Sequence, residues 1–243
     1  MVLIPPQPLA DPTLDAIDAA LVAANARQSP RTYLGMSSIG HPCGRKLWYD
    51  YHRPIPSSFD AATVRRFEDG HRGEDLMAER LRMVDGITLM TVDPETGRQW
   101  SYSDHGGKFG GHADGKILGL LQAPRTWHIW EHKCVGDDKF AKLNELKRSK
   151  GEKDALREWD AIYYAQAVLY MHYSGLPRHY LTCDTPGGRA SISVRTEADP
   201  VRASELIDKA LRILNARAPL ARVSNDPAWW QCRFCNRTGE CHQ

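Results

Sequence analysis

The stretches GGHADGKILG at residues 110–119 and TWHIWEHK at residues 126–133 decide how we expect this chain to fold. Apolar residues flank the charged residues of each stretch, and a short polar turn separates the two. Segments of this kind are typical of β-strands. We therefore predict two strands, over residues 110–121 and 126–135.

Three ionisable residues of these strands can form a site for a cation. Residues two apart on a strand point to the same face, so Glu131 and Lys133 share one pocket, and Asp114 joins them if the two strands are neighbours. Two carboxylates and an ammonium group at a sheet edge suit a hard divalent cation and a polarised water. The D…E-x-K pattern is short and common, and a hairpin with surface charges is the alternative that this motif alone leaves open.

The composition is that of an ordinary soluble protein. The 243 residues are 42% hydrophobic and 26% charged, and the formal net charge is +2. No apolar run approaches membrane-spanning length, and the N-terminus lacks the pattern of a secretory signal. We expect a cytoplasmic protein, prokaryotic or encoded by a virus, that is not secreted and does not bind a membrane. The net charge is too small to indicate a nucleic-acid partner, so any basic surface must be local.

The other segments predict helices and further strands. Periodicity and capping residues predict helices over about residues 11–27, 60–84, 154–174 and 201–217, a short helix capped by Ser37 or Ser38, a hairpin of residues 87–92 and 98–103, and strands over 179–183 and 190–196. Strands flanked by helices along the chain predict an α/β fold with a central mixed sheet. In the first helix, a stripe that includes Leu14 and Ile17 predicts packing against the body of the protein.

Two predicted helices carry residues that are unusual for their position. Gly70 and Gly73 weaken the helix over residues 60–84, which suggests that another group approaches it closely. His71 and Glu74 are three apart on that helix and share a face, although a lone histidine is more often structural. Gln166 interrupts an aromatic stripe, and a buried amide needs hydrogen-bond partners.

The cysteines indicate a metal site at the end of the chain. The tail has a C-x2-C-x5-C pattern formed by Cys232, Cys235 and Cys241. Cys43 is the best candidate for a fourth ligand, and His242 is its rival, which would suit zinc better than an iron–sulfur cluster. Cys134 and Cys183 lie in apolar strands and are predicted to be buried thiols. Spacing alone does not separate zinc from iron.

Taken in order, these motifs resemble the RecB-like branch of the PD-(D/E)XK nucleases, in particular its iron–sulfur members such as the CRISPR-associated exonucleases and AddB-type nucleases. The resemblance covers roughly residues 37–241. GHRGE matches the upstream histidine motif, GHAD the aspartate motif, EHK the E-x-K motif and QAVLY the Q-x-x-x-Y motif. The matching positions are His71, Asp114, Glu131, Lys133, Gln166 and Tyr170.

The resemblance implies a domain plan and a set of catalytic roles. Residues 35–218 would form a restriction-endonuclease-like core, residues 1–34 an extension with a helix, and residues 219–243 a cysteine knuckle closed by Cys43. Asp114, Glu131 and the backbone carbonyl of His132 would hold Mg²⁺ or Mn²⁺, with His71 completing or supporting the site. Lys133 would orient the attacking water and help to deprotonate it. Gln166 and Tyr170 would position the strand or brace the lysine.

The resemblance also implies the substrate, a cluster and partners. The chain would be a metal-dependent exonuclease on single-stranded or end-containing DNA, with a protein partner in recombination, repair or CRISPR adaptation. The four cysteines would hold a [4Fe–4S] cluster, with Zn²⁺ as the alternative. The residues proposed to contact DNA phosphates are Arg65, Arg66, Lys147, Arg148, Lys150 and Lys153. A basic run of this kind also occurs on ordinary solvated faces, and a non-cleaving protein that binds DNA ends is the alternative function.

Overall fold

The computed structural model describes residues 11–56 and 58–243, so residues 1–10 of the predicted extension lie outside it. The strands are β1 (Leu34–Gly35), β2 (Thr88–Met90), β3 (Ser101–Asp104), β4 (Phe109–His112), β5 (Gly115–Leu118), β6 (His128–Cys134), β7 (Arg178–Asp184) and β8 (Ser191–Glu197). The helices are α1 (Pro12–Ala26), α2 (Gly44–His52), α3 (Ala61–Arg82), α4 (Asp137–Lys150), α5 (Glu152–Trp159), α6 (Ala161–Ser174), α7 (Pro200–Asn215), α8 (Trp230–Arg233) and α9 (Thr238–Cys241).

The main sheet has five strands in the order β2-β5-β6-β7-β8. Strands β6 and β7 run parallel, and the other neighbours run antiparallel, which confirms the predicted mixed sheet. In the pairing of β5 with β6, Gly115 lies opposite Trp130. This register brings Asp114, the residue before β5, beside the Glu131 end of β6.

Helices cover both faces of this sheet. Trp130 points towards α3 and packs in a cluster with Met77 and Leu81. Its neighbour Ile129 points to the opposite face, where α6 and α7 supply the larger part of the core. Burial of each such large apolar side chain contributes about 1.5–3 kcal/mol. The alternation along β6 also sends Glu131 and Lys133 towards α6, and His132 towards α3.

A second, three-stranded sheet in the order β1-β4-β3 lies next to α6. Gly111 of β4 lies close to that helix. A Cβ atom at this position would lie 2.6 Å from the hydroxyl oxygen of Tyr170. A side chain at residue 111 would therefore force the buried tyrosine to shift.

Several predicted boundaries are confirmed by their caps, and others are wrong. Asp11 caps α1 through its carboxylate, as the sequence predicts, and Asp60 caps α3 in the same way. The cap of α2 is Cys43 and not Ser37 or Ser38. Its Sγ accepts a hydrogen bond from the Lys46 N–H at 3.4 Å.

Two continuous segments of the prediction are interrupted. The helix over residues 154–174 breaks at Asp160, whose carboxylate accepts from the N–H groups of Ile162 and Tyr163 and so starts α6 anew. The strand over residues 110–121 divides into β4 and β5, which belong to different sheets. Asp114 lies at this division.

The predicted hairpin of residues 87–92 and 98–103 is wrong. Strand β2 pairs with β5 in the main sheet, whereas β3 pairs with β4 in the second sheet. The two segments are joined by an isolated bridge between Val92 and Gln99 and by a hydrogen bond that Trp100 Nε1 donates to the Met90 carbonyl at 2.9 Å, and they do not form a ladder of their own. The apolar side chains of Ile87 and Leu89 pack against the Trp130 cluster, and this burial favours β5 as the partner of β2.

Helix α1 packs less closely than its stripe predicts. It lies against α3, but Leu14 and Ile17 remain exposed. In the described part of the chain, no helix combines the length and apolar character needed to cross a membrane.

Candidate active site

The three motif residues meet where β5 and β6 diverge. The Lys133 Nζ atom lies 2.8 Å from Glu131 Oε2 and 3.9 Å from Asp114 Oδ2. The backbone also joins the two carboxylates, because the Asp114 N–H donates to Glu131 Oε1 at 3.3 Å and the His132 N–H donates to Asp114 Oδ2 at 2.9 Å. The structure thus brings together the residues that the sequence placed in one pocket.

Helix α6 supports this group from below. The buried side chain of Gln166 donates from Nε2 to Glu131 Oε2 at 3.0 Å. The same Nε2 lies 3.4 Å from the Tyr170 hydroxyl, whose ring is fully buried. The amide that interrupts the aromatic stripe is therefore satisfied by the acidic residue of the site. Gln166 holds the Glu131 carboxylate in place, and Tyr170 limits the movement of Gln166.

Burial and neighbouring charges shift the pKa of Glu131 and of Lys133. Burial raises the pKa of Glu131 to about 8, and the nearby charge of Asp114 adds to the shift while Lys133 opposes it. Burial by itself would lower the pKa of Lys133, but Glu131 and Asp114 together raise it above its ordinary value. The lysine is therefore held in its charged form between two carboxylates.

Glu74 is a further acidic residue of the site that sequence reasoning did not include among the candidates. Burial raises its pKa to about 7, and the charge of Asp114 adds to the shift. It lines the same cleft as Asp114 and Lys133. The signal in the sequence was its position three residues after His71, on the same helix face. His71 itself is exposed and lines the cleft.

The side chain of His132 lies behind the site, against α3. Its Nδ1 is 3.1 Å from Thr182 Oγ1. Its Nε2 has no hydrogen-bond partner among the described residues and faces Gly73, where an added Cβ would lie 3.1 Å away. Burial lowers the pKa of His132 to about 4, so the ring is neutral. The close approach that Gly73 suggested is therefore the packing of α3 on His132.

The site opens into a cleft of about 630 Å³ between α1, α3 and the end of β6. Asp114, Glu74 and Lys133 line this cleft, and so do apolar residues that include Leu21, Val64 and Phe67. The Lys133 ammonium lies 5.5 Å from the centre of the Tyr163 ring. The cleft thus borders the N-terminal half of α3, which contributes Val64, Phe67 and His71 to its lining.

The donor atoms of the site suit a hard cation, although they are engaged with one another. Carboxylate oxygens from Asp114, Glu131 and Glu74 are the ligands that Mg²⁺ and Mn²⁺ prefer. Among residues 11–56 and 58–243, no three His, Cys, Asp or Glu side chains converge in a geometry ready to hold a metal ion. Binding of a cation therefore requires Asp114 and Glu131 to exchange present hydrogen bonds for metal contacts.

The residues predicted to contact DNA divide into two groups. Arg66 lines the cleft, and Arg65 is in an ion pair with Asp18 of α1. The others lie at the distant end of α4 and at the start of α5. There Lys147 donates to the Ser193 carbonyl at 2.6 Å, and Lys153 pairs with Glu197 at 2.6 Å. Arg148 and Lys150 of the same end are exposed.

The four cysteines predicted to bind a cluster line one small cavity. They are Cys43 at the start of α2 and, from the tail, Cys232, Cys235 and Cys241. All are free thiols, and the cavity has a volume of about 20 Å³. Burial and the other three thiols raise the pKa of Cys232. His41 and His242 also line this cavity. Of the two remaining cysteines, Cys183 is buried as predicted, whereas Cys134 is half-buried and borders the active-site cleft.

The tail is fastened to α2 next to these cysteines. The buried guanidinium group of Arg237 donates to Asp50 Oδ1 at 3.0 Å and to the Arg53 carbonyl at 2.9 Å. From the other direction, Arg45 donates to the Leu220 carbonyl at 2.9 Å. These contacts keep Cys43 near the three tail cysteines.

No model of a known protein family and no curated protein sequence matches this chain. Among solved structures, the protein SSO0001 aligns with a TM-score of 0.51 and 15% identity, over 96% of each chain. The alkaline exonuclease LHK-Exo from Laribacter hongkongensis aligns with a TM-score of 0.51 and 13% identity, over 81% of this chain and 90% of that one. Its complex with dAMP aligns with the same TM-score at 14% identity and the same coverage. The chain shares the fold of these proteins.

Proposed function

We propose that this protein is a metal-dependent DNA nuclease, and specifically an exonuclease on single-stranded or end-containing DNA. The observation that carries the proposal is the group formed by Asp114, Glu131 and Lys133, in which the ammonium lies 2.8 Å from one carboxylate and 3.9 Å from the other at an open cleft. The fold shared with an alkaline exonuclease supports it. The whole motif set, including Gln166 at 3.0 Å from Glu131, supports it further.

The chain's own residues have distinct roles in this proposal. Lys133 orients the attacking water and offsets charge on the scissile phosphate, because it is a charged donor at the mouth of the cleft. Gln166 and Tyr170 keep Glu131 in position. Asp114 and Glu131, with the backbone carbonyl of His132, would hold Mg²⁺ or Mn²⁺, and Glu74 and His71 are the nearest further donors. The bound metal would neutralise charge that builds up on the phosphate.

Digestion of circular and linear DNA, both single- and double-stranded, tests this proposal. Protein with Mg²⁺ or Mn²⁺ is expected to degrade linear single strands and to leave circles intact. Asp114→Asn and Lys133→Ala are expected to abolish cleavage without loss of folding. The matched controls Asp208→Asn and Lys108→Ala change exposed residues outside the cleft and should retain activity. Full activity of either site variant, or in EDTA, would refute the assignment. Binding of DNA ends without cleavage would favour the adaptor function instead.

We further propose that Cys43, Cys232, Cys235 and Cys241 hold a [4Fe–4S] cluster as a structural centre. Four thiols that line one cavity are the required all-thiolate ligand set. The small volume of that cavity, about 20 Å³, favours the alternative of a single Zn²⁺ with tetrahedral thiolate ligands. Metal analysis of anaerobically purified protein decides between them. About four iron atoms per chain and a brown colour support the cluster, whereas colourless protein with one zinc supports the alternative.

A further inference from the structure

The lining of the cleft that contains the acidic group is chemically mixed. Glu74, Asp114 and Lys133 are charged, and Arg66 and Glu68 add one charge of each sign. Five apolar residues, which we call the apolar wall, line the same cleft: Leu21, Ala24, Phe59, Val64 and Phe67. The flat face of a nucleotide base can pack on the apolar wall, whereas its phosphate would approach the carboxylates together with the divalent cation that we propose for them.

Two phenylalanines form the open part of the apolar wall. The rings of Phe59 and Phe67 are edge to face, with centres 4.9 Å apart and an interplanar angle of 88°. The two residues are 37% and 42% exposed, although helix α1 lies beside them. Val64, by contrast, is buried. The packing of α1 on α3 thus leaves part of each ring open to solvent, where a ligand can contact it.

The position of Phe67 places a ring in line with the catalytic groups. Phe67, His71 and Glu74 are spaced four and three residues apart on α3, so they lie along one face of the helix. Seven residues of helix correspond to about 10 Å. Successive phosphates of a DNA strand are at least about 3.4 Å apart along its axis, so this length holds at most about three nucleotides. Arg66, which follows the same rim of the cleft, adds a positive charge for a phosphate.

We propose that Phe59 and Phe67 form a stacking subsite for an unpaired base within about three nucleotides of the scissile phosphate. This inference rests on the proposed nuclease function and names its substrate: a single-stranded segment whose base is free to leave the stack. Aromatic stacking does not distinguish sequence, because every base has a π-face. The subsite would therefore select unpaired DNA and accept any base.

A cycle of protein and DNA changes tests the subsite. The probes are single-stranded oligonucleotides with one abasic residue at each of the first few positions from either end, and binding is measured with Ca²⁺ in place of Mg²⁺. Loss of one stacked base is expected to weaken binding to the wild-type protein by roughly 5- to 150-fold at one abasic position. The Phe67→Ala variant is expected to bind intact DNA more weakly than the wild type by the same factor. Its affinity should no longer depend on whether the base at that position is present.

Three further variants control for packing and folding. Phe67→Tyr keeps an aromatic face and should retain the wild-type pattern. Phe67→Leu keeps apolar bulk, so it should melt like the wild type and yet lose the sensitivity to the abasic position. Leu121→Ala shortens another exposed apolar residue, which lies beyond the far end of β5, and should change nothing.

The outcomes separate the subsite from the nuclease function. Suppose that the wild type cleaves DNA, and that Phe67→Ala either weakens the binding of intact and abasic DNA by the same factor or changes neither. The subsite is then refuted and the nuclease function stands. If Phe67→Ala leaves DNA binding unchanged and instead alters self-association or capture of a protein partner, the apolar wall is a protein-docking surface and the subsite is again refuted. If the wild type neither binds nor cleaves any oligonucleotide, the nuclease function fails and the subsite falls with it.

Discussion

Replacement of Gly111 by alanine should destabilise the protein, because the packing of the second sheet on α6 leaves no space for a side chain at this position. The added Cβ would lie 2.6 Å from the Tyr170 hydroxyl oxygen and 2.8 Å from its Cε1. The tyrosine is fully buried, so its ring cannot move into solvent. Overpacking of this kind costs about 1–3 kcal/mol of unfolding free energy. For a chain of this size, each kcal/mol lowers the Tm by about 2–4 °C, so the expected decrease is between about 2 and 12 °C.

Displacement of the Tyr170 ring should also lower the rate of DNA cleavage that we propose for this protein. Tyr170 lies 3.4 Å from Gln166, and Gln166 lies 3.0 Å from Glu131, so a shifted ring disturbs the support of the carboxylate. Thermal melts and initial rates on linear single-stranded DNA measure the two effects. Gly70→Ala is the matched control, because a Cβ there meets no described atom within 4 Å and alanine favours a helix. It should melt at the same or a higher temperature. If Gly111→Ala melts and cleaves like the wild type, the packing argument is refuted.

Three other changes test separate parts of the structure. Gln166→Leu should lower kcat about 5- to 150-fold with the fold retained. The loss of the amide donor leaves an oxygen of Glu131 without one of its hydrogen bonds, at a cost of about 1–3 kcal/mol. Unchanged steady-state rates would contradict this. The pKa of Glu131 is raised from 4.5 to about 8, so in EDTA the group should contribute stability below about pH 4.5 that is lost as the pH rises through about 8. Glu131→Gln should flatten this fall in denaturant-unfolding curves, and an unaltered pH profile would argue against it. Cys43→Ala should lose the bound metal and melt lower, whereas Cys183→Ser should keep the metal; equal metal content in both would remove Cys43 from the centre.

Contacts between neighbours in the sequence were predictable. Asp114 immediately precedes β5 and Glu131 lies on β6; these strands are consecutive along the chain, so their antiparallel pairing is local and follows from the pattern of apolar residues. Gln166 was predictable for another reason, since a buried amide in an aromatic stripe requires a partner and the acidic residue supplies it. In both cases a pattern within a short segment of the sequence was sufficient for the prediction.

The failures concern partners that compete over long distances. Strand β2 could pair with β3 or β5, and the burial of Leu89 against the Trp130 cluster decides between them. Glu74 shares a face with His71, but its approach to Asp114 depends on how α3 crosses the sheet. The sequence did not show which way the basic side chains at the end of α4 point, and one of them, Lys147, donates a hydrogen bond to the Ser193 carbonyl. Local patterns do not contain this information.

The acidic group destabilises the folded protein, and its net charge suggests what could compensate for this. The carboxylates of Glu74, Asp114 and Glu131 face a single ammonium, that of Lys133, so the group carries three negative charges against one positive when fully ionised. Burial is the main cause of the raised pKa of Glu74 and of Glu131, and the neighbouring charge of Asp114 adds to both shifts. A hydrophobic or neutral group would be cheaper for folding, because buried like charges repel. The missing charge is two, which is the charge of one divalent cation. The imbalance is therefore unfavourable for the protein alone and favourable for the metal-bound enzyme that we propose.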